Sequence, residues 1–197
     1  MSTGHKMSRK LDDLTKQDWD SLFPIELVEH SPDWNLKFEK ERQLIDEKVG
    51  DRLVAVEHVG STAIPGIKAK PYIDISIEIP KESLFNKEII QALEGLDYHY
   101  FKQTGKGADY MVFVKGYNLN GLKEQIFHIH MCPGGHEMLE QVLFRDYLIA
   151  HPTRAREYEQ LKVSLAGQFK NDRVGYRMAK DDFNTETIQR AKKDIDI

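Results

Sequence analysis

Residues 57–78 read EHVGSTAIPGIKAKPYIDISIE. They contain a strand of alternating apolar and polar residues and a glycine turn, and from these two features the architecture is predicted. In Tyr72 to Ile79, isoleucines alternate with polar side chains, which is typical of a half-buried β-strand. The turn, Gly60-Ser61-Thr62, follows a short apolar run at 53–56 that predicts a buried strand. The polar face of the alternating strand carries Asp74, Ser76 and Glu78.

The glycine turn is a candidate phosphate-binding loop. Glycine lets the backbone come close to a ligand, and the amides and hydroxyls of Gly60-Ser61-Thr62 can surround phosphate oxygens. Lys68 and Lys70 follow the turn and can supply countercharge. Asp74, on the next strand, can hold a divalent cation through its carboxylate oxygens. Together these residues predict a site for a phosphorylated ligand and a metal ion.

Two histidines alternate on a further predicted strand, Gln125 to Met131, so both imidazoles are expected on one side. His128 and His130, together with Asp74 and Glu78, predict a mixed nitrogen and oxygen metal site. Imidazole ligands favour manganese, iron or zinc over magnesium. The divalent cation therefore stays open among magnesium, manganese and zinc. Alternatively, one histidine is the base that deprotonates an acceptor hydroxyl.

Composition excludes several classes of protein. The chain has 197 residues, of which 40% are hydrophobic and 30% charged, so it is not a disordered chain. Its apolar runs are far shorter than the roughly 18 residues of a membrane span. Its 28 basic and 32 acidic residues are interspersed, which argues against a dedicated nucleic-acid binder. The expected partner is a nucleotide or another phosphorylated small molecule, with no membrane partner, and the oligomeric state stays open.

The chain ends and the cysteine content bear on its location. The N-terminal sequence MSTGHKMSRKLDDL has basic residues but lacks the apolar segment of a secretory signal. Cys132 is the single cysteine, so no intrachain disulfide can form. Both features lead us to expect a cytoplasmic protein.

The order of predicted elements indicates an α+β fold with α/β character: a small mixed sheet flanked by helices, then a helical C-terminal third. Residues 1–24 are predicted to be an N-terminal extension with a short helix at 11–22. Residues 25–135 are predicted to be the sheet core. Residues 136–197 are predicted to be helical, broken at His151-Pro152, and packed on the core as part of one continuous domain.

The sequence of the central loop resembles that of the GrpB family, whose members carry a loop much like HIGST-x-VPGL-x-AKP-x-ID. Here the loop reads His58-Val59-Gly60-Ser61-Thr62, then Ile64-Pro65-Gly66-Ile67, Ala69-Lys70-Pro71 and Ile73-Asp74. The resemblance extends over about residues 25–190. Its later matches are Phe127-His128-Ile129-His130, Phe144 to Leu148, His151-Pro152, Tyr158, Leu161-Lys162, Tyr176 and Lys180 to Phe183.

The GrpB family is similar to the nucleotidyltransferase superfamily, and this similarity implies a nucleotidyltransferase-type sheet. In that superfamily a Gly-Ser turn holds the triphosphate and a carboxylate-x-carboxylate pair holds magnesium. Gly60 and Ser61 match the turn, and Asp74 matches the first carboxylate. Ser76 occupies the second carboxylate position, which departs from the active pattern. Lys180 matches a family lysine that can reach the nucleotide.

Arg145, which lies in another matched segment, can clamp phosphate or pair with Asp146.

Three functions follow from these residues, and whether the protein is an enzyme stays open. The first is metal-dependent transfer of a nucleotidyl or phosphoryl group from a nucleoside triphosphate to a small acceptor. The second is a non-catalytic module that binds a nucleotide or coenzyme and lost catalysis with the second carboxylate. The third is a metal-dependent phosphohydrolase that uses water as its acceptor.

Overall fold

The chain folds around a five-stranded mixed sheet, seen in a computed structural model that describes residues 10–105, 107–119 and 122–195. Its strand order is β1-β2-β5-β4-β3, with β2 and β5 parallel and the other neighbours antiparallel. The predicted α+β architecture is therefore confirmed. The strands are β1 (Ala55–Val59), β2 (Tyr72–Ile79), β3 (His99–Gln103), β4 (Tyr110–Lys115) and β5 (Ile126–Pro133).

Helices cover both faces of this sheet. Those before or within the sheet region are α1 (Lys16–Leu22), α2 (Asp33–Val49) and α3 (Lys87–Glu94). Those of the C-terminal third are α4 (Glu140–Ala150), α5 (Pro152–Gln168), α6 (Arg173–Met178) and α7 (Asp181–Ile195). None of the helices in the described part of the chain is long and apolar enough to cross a membrane.

The main hydrophobic core lies between β2 and helices α2 and α3. Ile73, Ile75 and Ile77 are fully buried there against Phe38 of α2 and Ile89 of α3. Burial of a side chain of this size contributes about 1.5–3 kcal/mol, so the alternation in β2 fixes which face meets these helices. The opposite face of β2 is left for the C-terminal helices and carries the polar side chains.

The second face of the sheet is covered by α4, which contacts β1 and packs against α7. Phe144 and Leu148 of α4 form a smaller apolar cluster with Ile64 and Ile67 of the loop that joins β1 to β2. Tyr158 of α5 completes this cluster. The C-terminal helices are thereby held above the glycine turn.

The predicted element boundaries differ from the observed ones at a few places. The apolar run at 53–56 overlaps β1, but the strand begins at Ala55 and continues to Val59. The predicted helix at 11–22 is a 3₁₀ turn followed by α1, which begins after Thr15 because the Thr15 side chain accepts a hydrogen bond from the Asp18 amide. Residues 1–9 and 196–197 of the predicted domains lie outside the described residues.

The C-terminal third contains more helix breaks than predicted. Besides the break at His151, the chain leaves the helix at 169–172 and again at 179–180. Asp172 starts α6 as its N-cap, because its Oδ1 accepts a hydrogen bond from the Gly175 amide at 3.1 Å. These breaks turn the chain so that α6 and the start of α7 face the sheet.

Candidate functional site

A cavity of about 380 Å³ lies between the polar face of the sheet and the C-terminal helices. We call it the lysine cavity, because Lys70, Lys162 and Lys180 line it together with Arg177. The predicted site residues Gly60, Ser61, Lys70, Asp74, His130 and Lys180 all line this cavity. The structure therefore gathers in one place residues from the glycine turn, from β2 and β5, and from the C-terminal helices.

Gly60 places the turn directly against Asp74. Its φ of 71° and ψ of −171° belong to a backbone region that is essentially restricted to glycine. A Cβ atom at this position would overlap with Asp74 Oδ2 and lie 3.1 Å from Asp74 Cγ. The glycine in the motif is thus required by the close approach of the Asp74 carboxylate, as well as by the turn itself.

Thr62 and His58 support the turn from inside the protein. The Thr62 hydroxyl donates to the Tyr72 carbonyl at 2.9 Å and accepts from His58 Nε2 at 3.0 Å. Burial lowers the pKa of His58 to about 4, so its ring is neutral, and it stacks on Phe38. Thr62 was predicted to bind phosphate, but its side chain is buried and its hydroxyl makes both bonds within the protein.

Asp74 lies beside His128 on the neighbouring parallel strand, with 3.3 Å between Asp74 Oδ1 and His128 Nδ1. Burial by itself raises the pKa of Asp74, but the hydrogen bond from His128 and nearby positive groups outweigh it. The pKa of Asp74 is consequently below its usual range. The carboxylate is therefore ionised at neutral pH and can meet a cation or a ligand proton in the lysine cavity.

Two of the cavity lysines are unusual because they lose their protons easily. Burial, reinforced by the charge of Lys180, lowers the pKa of Lys162 to about 7. Burial also lowers the pKa of Lys70 to about 7, with further contributions from Arg173 and Lys180. Such lysines are stabilised in their charged form by any anion that enters the cavity.

Tyrosine rings separate these lysines. Lys162 Nζ donates to the Lys68 carbonyl and lies 4.8 Å from the centre of the Tyr158 ring. Lys70 and Lys180 each place Nζ 4.6 Å from a tyrosine ring, that of Tyr72 and that of Tyr176 respectively. Cation–π contacts of this kind hold an ammonium group without neutralising its charge. In their protonated form the three lysines thus remain available to a negatively charged ligand.

His130 reaches the same cavity from β5, opposite Ser76 of β2 in the strand register. Within the described residues, His130 Nδ1 and Ser76 Oγ are buried without a hydrogen-bond partner. Burial lowers the pKa of His130 to about 4, against the opposing charge of Asp74. A buried polar atom without a partner is costly, so His130 Nδ1 is a candidate contact for a ligand or a cation.

The structure separates Glu78 from the other predicted metal ligands. A Cβ atom built on Gly134 would lie 2.7 Å from Glu78 Oε1, which places this carboxylate by the turn after β5. Asp74 is four residues earlier on β2, about 13 Å away at strand rise. Among the described residues, no group of three or more His, Cys, Asp or Glu side chains is arranged to hold a metal ion.

Arg145 is likewise not placed in the lysine cavity. Its Nη1 donates to Glu57 Oε2 and to the His58 carbonyl, both at 2.7 Å, and its Nε pairs with Asp146. These bonds fasten α4 to β1. The side chain was predicted to clamp phosphate or to pair with Asp146, and the structure shows the pairing.

We therefore expect Arg145→Met to lower the free energy of unfolding by about 1–3 kcal/mol, because the His58 carbonyl and Glu57 lose a charged donor. Ligand affinity should be unchanged. Urea denaturation followed by tryptophan fluorescence measures the first effect, and titration with pyrophosphate measures the second. A large loss of affinity at unchanged stability would instead assign Arg145 to the binding site.

Comparison with known proteins identifies the family. Residues 24–190 match the family model described as GrpB protein. The chain belongs to the GrpB family. The glutamate-rich protein GrpB of Alkalihalophilus pseudofirmus is 38% identical over 168 residues, covering 82% of this chain and 92% of that protein. A UPF0157 protein of Pseudomonas aeruginosa is 34% identical over 167 residues, covering 85% of this chain and 67% of that protein.

A solved structure supports the GrpB fold independently. The crystal structure of the conserved protein GrpB from Enterococcus faecalis superposes with a TM-score of 0.74 at 27% sequence identity. The match covers 86% of this chain and 99% of the crystallised chain. The GrpB resemblance inferred from the loop motif is thereby confirmed, and α1 precedes the residues that match the family model.

Sequence reasoning missed Lys162 and Arg177 as cavity residues. A signal for Lys162 was available, since Ala155, Tyr158, Lys162 and Leu165 recur at helical spacing and are all buried in α5. A lysine on the buried stripe of a helix needs a partner or a role. Arg177 is exposed and follows Tyr176 in the short helix α6, and its spacing gives no comparable signal.

Proposed function

We propose that this chain binds a nucleotide or another phosphorylated small molecule in the lysine cavity and transfers a nucleotidyl or phosphoryl group to a small acceptor. The observation that carries the proposal is the convergence of Lys70, Lys162 and Lys180 on one cavity beside Asp74. Lys162 is buried, and Lys70 and Lys180 are half-buried. A ligand with several negative charges stabilises the protonated form of all three. Phosphates are such ligands, and the adjacent Gly60-Ser61 turn suits them as well.

The order of these elements supports transfer chemistry. A glycine-serine turn after one strand and a carboxylate on the next resemble the nucleotidyltransferase superfamily, in which they hold phosphates and a cation. Stabilising the charge that develops at the phosphate is the expected catalytic contribution of such a site. In this proposal Ser61 and the lysines hold the phosphates, and Asp74 lies at the reacting end.

The metal requirement can be tested against the side chains present. Asp74 Oδ2 and His130 Nδ1 are two candidate ligands, the second being a buried nitrogen without a partner among the described residues. A divalent cation held by so few protein groups needs phosphate oxygens of the ligand to complete its coordination, as magnesium commonly does. When bound, such a cation supplies charge neutralisation at the transferring phosphate.

A second candidate function is binding without catalysis. Ser76 stands where the superfamily pattern has its second carboxylate, and its side chain is buried. This substitution favours a module that keeps the phosphate site and regulates a partner enzyme. The third candidate, a phosphohydrolase, uses the same Asp74 and His130 with water as acceptor.

One set of measurements separates these functions. Thermal unfolding is followed with a panel of nucleotides, each with magnesium, manganese or zinc, because a ligand that binds the folded state raises its melting temperature. Consumption of the nucleotide is then measured with and without small hydroxyl acceptors. Acceptor-dependent turnover supports transfer, release of phosphate to water supports hydrolysis, and stabilisation without turnover supports the binding module.

No stabilisation by any nucleotide or by pyrophosphate would refute the proposed site.

Asp74→Asn should abolish turnover while the protein remains folded. The amide keeps the size of the carboxylate but removes its negative charge, so the contact with His128 and with a cation is weakened. We expect at least about a hundredfold loss of rate, in line with the removal of one charged group from a transfer site. Asp146→Asn on the exposed side of α4 is the matched control. Unchanged turnover in Asp74→Asn would contradict the assigned role.

Phosphate affinity should fall as the pH rises above 7. Lys70 and Lys162 have pKa values of about 7 in the empty protein, and a bound anion raises both values. Binding therefore takes up protons above pH 7, and affinity decreases by about tenfold per pH unit for each lysine until the pKa of the complex is reached. Sulfate is a suitable probe because its own charge does not change over this range. A flat affinity from pH 6 to 9 would contradict these pKa values.

A further inference from the structure

A line of polar contacts leads from Arg173, at the start of α6, to Asp74 in the lysine cavity. Arg173 Nη2 donates to the Tyr117 hydroxyl at 3.0 Å, and this hydroxyl lies 2.6 Å from His128 Nε2. His128 Nδ1 lies 3.3 Å from Asp74 Oδ1. Each residue of the line contacts the next, so the state of one group constrains the others.

With a neutral His128 ring, counting protons along this line leaves one arrangement in which every contact is favourable. The guanidinium of Arg173 can act only as a donor, so the Tyr117 oxygen accepts from it. The hydroxyl proton of Tyr117 is then free to be donated to His128 Nε2, which must be unprotonated. The proton of the neutral imidazole consequently sits on Nδ1, facing the Asp74 carboxylate. The other neutral tautomer would direct a lone pair at that carboxylate.

We propose that Arg173 and Tyr117 are positioning residues that hold His128 in the Nδ1–H tautomer, and that α1 acts as their brace. Under this proposal His128 is neither a metal ligand nor a free base, because both of its ring nitrogens are engaged. Its role is to hold Oδ1 of Asp74. Sequence reasoning had placed His128 among the candidate metal ligands and bases.

The brace is formed by residues of α1 and the turn that follows it. Trp19 and Phe23 pack edge-on against the Tyr117 ring, with centroids 4.9 and 4.6 Å away. Asp20 Oδ1 accepts from the Arg173 amide at 2.9 Å, and the Phe23 carbonyl accepts from Arg173 Nη1 at 2.8 Å. Thus α1 contacts both positioning residues.

This brace lies outside the residues that match the family model, which begin at 24. The line itself joins residues that lie within the matched region. The N-terminal helix of this chain is therefore assigned a role in holding the site, in addition to its packing against the sheet. Trp19 and Phe23 also pack against an apolar cluster that contains Tyr72, Tyr117 and Ile126.

The proposal also predicts which oxygen of Asp74 contacts the ligand, and this prediction rests on the proposed function. His128 occupies Oδ1, while Oδ2 lies against Gly60 at the glycine turn. A phosphorylated ligand in the lysine cavity, or a cation bound with it, would then be contacted by Oδ2. The tautomer of His128 can be measured whether or not any ligand is found, so failure of the two proposals is distinguishable.

The test is nuclear magnetic resonance of the ring nitrogens in the full chain, labelled with ¹⁵N, at neutral pH. Protonated and unprotonated imidazole nitrogens have clearly different ¹⁵N shifts, and His128→Gln identifies the signals of this residue. For the wild-type protein we expect a protonated Nδ1 and an unprotonated Nε2. Tyr117→Phe removes the donor to Nε2 and should move both signals toward the other tautomer.

Control variants distinguish positioning from general disturbance of the fold. Tyr100→Phe on β3 removes a hydroxyl elsewhere in the sheet and should leave the His128 signals in place. Trp19→Ala should shift them in the same direction as Tyr117→Phe, because Tyr117 loses its support. Since Trp19→Ala reduces packing, its backbone amide spectrum is compared with the wild type to confirm that the sheet remains folded.

Three outcomes would overturn the proposal: a protonated Nε2 in the wild-type protein, an imidazolium with both nitrogens protonated, or unchanged signals in folded Tyr117→Phe. If Tyr117→Phe does not fold, Arg173→Gln provides the second variant. It removes the donor to the Tyr117 hydroxyl, and the same change in the His128 signals is expected. An Nε2–H tautomer of His128 in the wild-type protein refutes the proposal even without any variant.

Discussion

Lys162→Met should remove most of the affinity for pyrophosphate and, at the same time, make the empty protein more stable. The lysine is 1% exposed and lines the lysine cavity. Loss of a charged hydrogen bond to phosphate corresponds to about 1.5–3 kcal/mol, or roughly a tenfold to hundredfold weaker binding. Isothermal titration with pyrophosphate measures this loss.

The gain in stability follows from the lowered pKa. In the unfolded chain Lys162 keeps its proton up to about pH 10.5, whereas in the folded protein it releases the proton near pH 7. Between these values the folded state binds fewer protons, so the stability contribution of Lys162 becomes more favourable as the pH rises. At neutral pH the group is therefore destabilising. Methionine removes this cost but leaves the Lys68 carbonyl without its donor, so we expect a net gain of about 1–2 kcal/mol.

Lys68→Met is the matched control for this prediction. Lys68 lies in the loop that joins β1 to β2, but its side chain points to solvent, where it pairs with Glu29 at 2.9 Å. Its replacement should change stability by less than about 0.5 kcal/mol and leave pyrophosphate affinity intact. If Lys162→Met destabilises the protein and keeps full affinity, Lys162 is a packing residue and the lysine cavity is not the phosphate site.

Gly60→Ala should be the most damaging single substitution in the glycine turn. The backbone conformation at Gly60 costs a non-glycine residue about 1–3 kcal/mol. In addition, the new methyl group would overlap with Asp74 Oδ2 and displace the carboxylate. We expect a total loss of about 3–5 kcal/mol in the free energy of unfolding, measured by urea denaturation, together with loss of nucleotide binding.

Gly66→Ala separates the cost of the backbone conformation from the cost of the overlap with Asp74. Gly66 also has a positive φ, of 75°, but a Cβ atom there would meet nothing within 4 Å. Its replacement should therefore show the backbone cost alone, about 1–2 kcal/mol, with nucleotide binding retained. Equal effects of the two substitutions would mean that the contact between Gly60 and Asp74 is unimportant.

Local patterns predicted the elements of the fold well where one face of an element is buried against a single partner. The alternation of Tyr72 to Ile79 matches β2 from its first residue to its last. The boundaries that moved are those set by individual hydrogen bonds, such as the cap at Asp172. A capping bond depends on how the chain approaches from elsewhere, and periodicity alone does not reveal it.

The residues that line the lysine cavity were predicted in part. The motif identified the glycine turn, Asp74 and Lys70, because their chemistry is local and their spacing is short. A phosphate role was also predicted for Thr62 and, as an alternative to pairing with Asp146, for Arg145; the donors of both side chains are used inside the protein. Residue type is the same in either role, so only the positions of neighbouring carbonyls and carboxylates distinguish a binding group from a structural one.

The sequence by itself determined the mixed sheet, the polar face of β2 and membership of the GrpB family, since each depends on residues close together in the chain. The tertiary structure alone decided that Lys162 of α5 joins Lys70 and Lys180, that Glu78 is kept apart, and that Arg173 and Tyr117 orient His128. These facts depend on contacts between residues far apart in the chain, such as Lys162 and Lys68, which are 94 positions apart. The pKa values depend on burial and on charges from other elements, which exist only after the helices have packed onto the sheet.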